Sequence, residues 1–80
     1  MNVAAIKQLV DFYDMDTLVK AEQDLLNETP LYIDVPGADD GEKLTHILAA
    51  IFCKREMEKD NLNINQALRL YSQRVRGSLD

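Results

Sequence analysis

The pattern of apolar and polar residues predicts a central helix that is buried on two sides. Residues 44–53 contain no glycine, proline or formally charged side chain. At about 100° per residue they form one broad apolar face, with smaller residues on the opposite side. The broad face consists of Leu44, Ile47, Leu48, Ile51 and Phe52, and the smaller side of Ala49, Ala50, Cys53 and Met57. A helix that is apolar on both sides has neighbours on both, so we expect residues about 40–59 to form the centre of the fold.

Polar residues before each apolar pattern predict where four helices begin. The side chains of Asn, Asp and Ser can accept hydrogen bonds from the free N–H groups of a first helical turn. The expected caps are Asn2 for the first helix, Asp14 or Asp16 for the second, Asp39 or Asp40 for the central helix, and Asn63 with Gln66 for the last. The second helix should end near Asn27, the central helix at Asn61 and the last at Gly77. The buried side of the last helix should consist of Ile64, Ala67, Leu68, Tyr71 and Val75.

Residues 31–35 are the one segment with the alternation of a half-buried strand. Leu31, Ile33 and Val35 alternate with Tyr32 and Asp34, between two prolines. No second run of this kind exists in the sequence, and an unpaired strand edge is unfavourable. The segment should therefore cross the helices as a strap or pair with the same segment of another copy.

These elements predict a mainly α fold, a small bundle of four helices around a central buried helix with one short extended segment at 31–35. We expect the chain to form a single helical domain over residues 1–80. Apolar residues make up 46% and charged residues 29% of the sequence, which is ordinary for a soluble globular protein. No uncharged run approaches the roughly 20 residues that span a bilayer, and the N-terminus does not resemble a signal peptide. With a single cysteine, these features predict a cytoplasmic protein.

Charge divides the chain into an acidic and a basic half. Residues 1–42 hold two lysines and ten acidic residues, whereas residues 43–80 hold seven basic and four acidic residues. The halves therefore carry net charges of −8 and +3. An acidic surface repels nucleic acid and anionic lipid, so this asymmetry favours complementary protein surfaces, within the fold or between copies.

The sequence offers few residues for catalysis or metal binding. His46 and Cys53 lie two turns apart on one side of the central helix with Glu42, which leaves a small redox or metal protein as an alternative function. No second His or Cys completes a metal site, and residues about 10 Å apart along a helix cannot form a Cys–His pair. The acidic clusters at 14–16 and 39–42 lack the spacing of a calcium loop. We therefore predict no catalytic, cofactor or metal site, and we expect Cys53 to be a small buried apolar residue.

The last helix carries the one basic patch, formed by Arg69, Arg74 and Arg76. A nucleic-acid-binding accessory protein that uses this helix is a second alternative. The acidic remainder of the chain and the lack of interleaved aromatic residues disfavour it.

Three short segments carry a family resemblance that extends over nearly the whole chain. They are Gly-Glu-Lys-Leu-Thr-His-Ile-Leu-Ala-Ala at 41–50, Asn-Val-Ala-Ala-Ile-Lys at 2–7 and Ala-Leu-Arg-Leu-Tyr at 67–71. Together they resemble a family of short uncharacterised bacterial proteins of unknown function. The resemblance implies a free-standing bacterial cytoplasmic protein and brings no activity or cofactor.

The leading functional prediction is a non-enzymatic protein–protein interaction or accessory module that forms a homodimer and has an unidentified protein partner. A short chain has a thin core, which association would supplement. A two-fold axis could pair the 31–35 segments around Ile33, or bring together the side formed by Ala49, Ala50, Cys53 and Met57. Leu70, beside the basic side of the last helix, is a further candidate interface residue.

Overall fold

Four helices form the protein, as the sequence predicts. A computed structural model describes residues 2–79, with side chains described up to residue 75. The helices are α1 (Val3–Phe12), α2 (Met15–Leu26), α3 (Asp40–Asp60) and α4 (Ile64–Leu79). No strand is present among the described residues. The mainly α bundle around a long central helix is therefore confirmed.

Side-chain caps begin α1, α2 and α3. Each cap side chain accepts a hydrogen bond from a free N–H group of the first turn, which would otherwise lack a partner. The bonds are Asn2 Oδ1 from Ala4 N–H at 2.9 Å, Asp14 Oδ1 from Thr17 N–H at 2.8 Å, and Asp39 Oδ1 from Glu42 N–H at 2.8 Å. Of the alternatives that the sequence left open, Asp14 and Asp39 are the caps. Asp16 and Asp40 lie in the first turns that follow them.

The junction between α3 and α4 follows the prediction, but the end of α4 does not. Asn61 ends α3 in the left-handed conformation, with φ 58°. Asn63 and Gln66 exchange backbone to side-chain hydrogen bonds at 2.9 and 3.0 Å, which completes a capping box. The prediction that Gly77 ends α4 is wrong, because the helix continues to Leu79. A single glycine inside a helix costs only about 1 kcal/mol and is tolerated.

Val75 also departs from the prediction, since its side chain is 40% exposed and not buried. The main packing partner of α4 is α3, so the end of α4 has few neighbours to cover it. The remaining predicted contact residues of α4 are confirmed: Ala67 is fully buried, and Ile64, Leu68 and Tyr71 pack against the core.

The neighbours of α3 occupy three of its four sides. Phe52 contacts Tyr71 of α4 with ring centroids 5.5 Å apart, and Lys43 lines a cleft with Leu25 of α2. These two α3 residues are nine positions apart, which places them about 180° apart around the helix, so α4 and α2 flank α3 on opposite sides. His46 marks a third side of α3. It bonds to Asn2, the cap residue of α1, so α1 packs on that side. Leu48, about 200° from His46, points to the side that remains.

The segment 31–35 crosses the bundle as a strap. Val35 is 4% exposed, and Leu31 and Ile33 pack against the core. Tyr32 is 83% exposed, so the predicted alternation of burial is confirmed although no strand forms. The strap continues to Gly37, whose φ of 152° and close approach to Lys43 admit no side chain: an added Cβ would lie 2.9 Å from the Lys43 backbone nitrogen.

Candidate functional site

The small side of α3 is covered by the chain itself. Ala49, Ala50 and Cys53 are each 0% exposed and belong to the hydrophobic core, and Met57 is half-buried against it. Sequence analysis offered this side as a meeting place for a second copy. The structure instead packs it into the chain's own core, which also includes residues of α1, α2, α4 and the strap. Ile33 is likewise half-buried within one chain.

His46 joins three separate segments of the chain. Its Nε2 accepts a hydrogen bond from the backbone N–H of Asn2 at 3.2 Å, and its Nδ1 lies 2.8 Å from the carbonyl oxygen of Pro36. A carbonyl oxygen can only accept, so Nδ1 carries the proton and the ring is the neutral Nδ1–H tautomer. The side chain is 1% exposed. Both nitrogens are therefore used to hold the start of α1 and the end of the strap against α3.

Cys53 is a buried free thiol, as the sequence predicts. Burial raises the pKa of this thiol from 9.0 to about 11. Since the thiolate is the reactive form, this environment lowers the reactivity of Cys53. Within the described residues, no group of three or more His, Cys, Asp or Glu side chains is placed to hold a metal ion.

We expect Cys53 in the folded protein to react at least about a hundredfold more slowly with a thiol reagent at pH 8 than in the unfolded chain, since each pKa unit is a tenfold change in thiolate and the thiol is also shielded. The measurement is the labelling rate with an aromatic disulfide, with and without denaturant. Because the folded state holds the Cys53 proton more tightly, stability should fall as the pH rises above about 9. Labelling at the unfolded rate under native conditions would contradict this prediction.

The fourth side of α3 is uncovered and apolar. Leu48, in the middle of the central helix, is 42% exposed. The prediction that the broad apolar face of this helix is buried is therefore wrong at Leu48. On α2, Thr17 and Lys20 line a cleft with the strap. Val19 and Leu26 lie on the opposite side of α2 and are 37% and 59% exposed. On α4 a cleft shared with Val3 of α1 lies beside Leu68 and Ser72, while Leu70 lies on the opposite flank and is 38% exposed. The layer of α2, α3 and α4 thus presents Val19, Leu26, Leu48 and Leu70 on the side away from α1, and we call this surface the open face.

The arginines of the basic patch on α4 have different environments. The guanidinium of Arg74 lies over the Phe52 ring, 5.3 Å from its centroid, a contact with cation–π character. Arg69 is exposed. The predicted contribution of the Arg76 side chain lies outside the described residues. The patch that suggested nucleic-acid binding therefore includes one arginine that contacts the core.

Comparison with known proteins places the chain in a family. A family model described as a family of unknown function, DUF6952, matches residues 1–80, so the chain belongs to that family. This confirms the predicted membership of a family of unknown function, while the bacterial origin stays a prediction. No curated protein and no solved structure matches the chain. Among the described residues, no helix combines the length and apolar character needed to cross a bilayer.

Proposed function

We propose that this member of the DUF6952 family is a non-enzymatic protein–protein interaction module that forms a homodimer. The observation that carries the proposal is the open face. Leu48 lies in the middle of the helix that organises the core, yet it is 42% exposed. Val19, Leu26 and Leu70 extend the apolar surface onto α2 and α4. A set of exposed apolar side chains on one side of a small domain is typical of a surface that binds another protein.

The environments of His46 and Cys53 support a function without catalysis by these residues. Both nitrogens of His46 bond to backbone groups, and Cys53 is fully buried with a raised pKa. A nucleophile or general base needs access to its substrate, which neither side chain has. The free thiol of Cys53 is also compatible with a reducing compartment, and we include the cytoplasm in the proposal for that reason.

Light scattering coupled to gel filtration tests the homodimer. We expect the measured mass to rise from the monomer value of 9.1 kDa towards twice that value as the concentration increases from micromolar to millimolar. A mass that stays at the monomer value over this range would contradict self-association. In that case a pull-down from native extract would test whether the protein binds an unidentified protein partner instead.

The nucleic-acid alternative predicts a different result. A protein that binds through Arg69 and its neighbours would be retained on immobilised DNA at low salt and released as the salt concentration rises. We expect the protein to pass through such a column at 50 mM salt, because it carries a net charge of −5.

A further inference from the structure

We propose that His46 is an acid-sensitive latch: when its ring takes up a proton, α1 is released from α3 while the strap stays bound. The latch consists of one buried side chain and two backbone groups. It operates within a single copy and does not depend on the proposed homodimer.

The two ring nitrogens of His46 respond differently to a proton. Nδ1 donates to the carbonyl oxygen of Pro36 at 2.8 Å, and Nε2 accepts from the backbone N–H of Asn2 at 3.2 Å. A protonated imidazole is a donor at both nitrogens. The bond to Pro36 therefore survives protonation, whereas at Nε2 two N–H groups would point at each other. Because His46 is 1% exposed, no water replaces Asn2 as a partner while α1 stays in place.

Proton uptake and the release of α1 are therefore linked. The closed arrangement accepts only the neutral ring, and a chain in which α1 has moved away accepts either form. A state that binds a proton more readily becomes more populated as the pH falls. A free imidazole takes up its proton at about pH 6.5, so the open population should rise below that pH, by up to about tenfold for each further unit.

α1 is the element that this change can release. Its main packing partner is α3. It begins beside His46, and Asp14, just after its last turn, is close enough to Lys54 for their charges to interact. α1 therefore extends along the side of α3 that carries Cys53, seven residues after His46 and within about 20° of it around the helix. Cys53 is 0% exposed, so its thiol reports whether α1 is in place.

Each element around the latch carries charged side chains. They are Lys7 and Asp11 on α1, Asp34 and Asp39 at the two ends of the segment that holds Pro36, Glu42 and Lys43 on α3, and Arg69 on α4 beside Val3. Within the described chain, none of them forms an ion pair or a hydrogen bond with His46. Glu42 lies one turn before His46 on the same side, so its attraction for a charged ring opposes the latch. Because Glu42 is exposed, solvent screens this attraction.

Cys53 labelling measures the release of α1. The labelling rate in native buffer, divided by the rate in the unfolded chain at the same pH, follows the open fraction, because the pH dependence of the reagent cancels. Between about pH 7.5 and pH 5 this ratio should rise about tenfold. Ordinary carboxyl groups titrate at about pH 4, below this range.

Three variants separate the ring of His46 from other causes of acid sensitivity. His46→Phe has no titrating ring, so its labelling ratio should change by less than about threefold over the same range. Leu9→Ala removes a buried side chain of α1, so it should raise the ratio at both pH values and keep the tenfold rise. Glu42→Gln should also keep the rise, because the latch does not use this carboxylate.

NMR tests the latch without any substitution. His46 is the single histidine, so its ring signals are assigned directly. Protonation of the ring and the rise in Cys53 labelling should occur over the same pH range. A ring that takes up its proton with no change in labelling would overturn the latch, even if His46→Phe failed to fold.

A thiol in the strap shows which segment is released. In a Cys53→Ala background, Val35→Cys places a thiol at a position that is 4% exposed. Its labelling ratio should change by less than about threefold between the two pH values, since protonated Nδ1 still donates to Pro36.

The remaining outcomes are also decisive. Equal rises in the unmodified protein and His46→Phe, or no rise in either, would overturn the latch. A rise that Glu42→Gln abolishes would assign the pH response to that carboxylate and overturn it too. Equal rises at Cys53 and in Val35→Cys would mean that the whole domain opens, which would overturn the selective release of α1. Self-association is tested separately, by light scattering.

Discussion

Replacing Ile47 by alanine is expected to lower the free energy of unfolding by about 2–5 kcal/mol. Ile47 is 0% exposed and belongs to the core cluster that includes Leu9, Leu18 and Ala50. Removing three carbon atoms from this position loses their transfer free energy and leaves a cavity that the surrounding side chains fill only in part. A domain of this size has a total stability of about 5–15 kcal/mol at most, so the loss is a large share of it.

Leu48→Ala is the matched control for Ile47→Ala. The two residues are adjacent on α3, but Leu48 is 42% exposed and lies on the open face. We expect its replacement to change the monomer stability by less than about 1 kcal/mol, because much of the side chain already contacts solvent. Urea denaturation followed by circular dichroism, at a concentration where light scattering gives the monomer mass, measures both. Equal losses for the two variants would contradict the placement of Leu48 outside the core.

Replacing His46 by phenylalanine should cost about 1–3 kcal/mol of stability. Phenylalanine has a similar size and shape, so the change isolates the two hydrogen bonds from a cavity effect. It removes the bonds to the N–H of Asn2 and the carbonyl of Pro36, which are only partly buried, and a typical hydrogen bond contributes about 0.5–1.5 kcal/mol net. Denaturation at pH 8, where an unperturbed imidazole is neutral, avoids contributions from histidine protonation.

Asn2→Ala is the comparison for His46→Phe. It removes the cap of α1 but keeps the backbone N–H that bonds to His46, so a smaller loss of about 1 kcal/mol is expected. If His46→Phe were as stable as the unmodified protein, His46 would fill space only, and the three-way connection would have no energetic role.

Local signals were sufficient to predict most of the secondary structure. The caps at Asn2, Asp14, Asp39 and Asn63 act on N–H groups two or three residues away, so the information lies within one turn of the sequence. The burial of Val35 and the exposure of Tyr32 similarly follow from their own alternation. Gly77 failed as a stop because a glycine ends a helix only where the following backbone provides the left-handed turn.

Features that depend on distant parts of the chain were not predictable. Covering Ala49 and Ala50 requires elements that lie many residues away, and no periodicity within α3 shows which neighbour will occupy which side. The partner of His46 is a backbone amide 44 residues earlier, and a backbone amide has no sequence signature. The open face is visible only once α2 and α4 are placed on opposite sides of α3. Its one sequence signal was Leu70, which falls outside the buried stripe of α4.

The other three helices each pack mainly against α3, so the protein can fold only after α3 has been synthesised. α1 and α2 make their main contacts with α3 and few with each other, so neither has its packing partner until residue 60 or so has been made. Until then Ile6, Leu9 and Leu18 have no core to enter. The net charge of −8 on residues 1–42 works against association of such nascent chains, because like-charged chains repel each other while their apolar residues are exposed. The acidic half thus helps to keep the unfolded chain from aggregating.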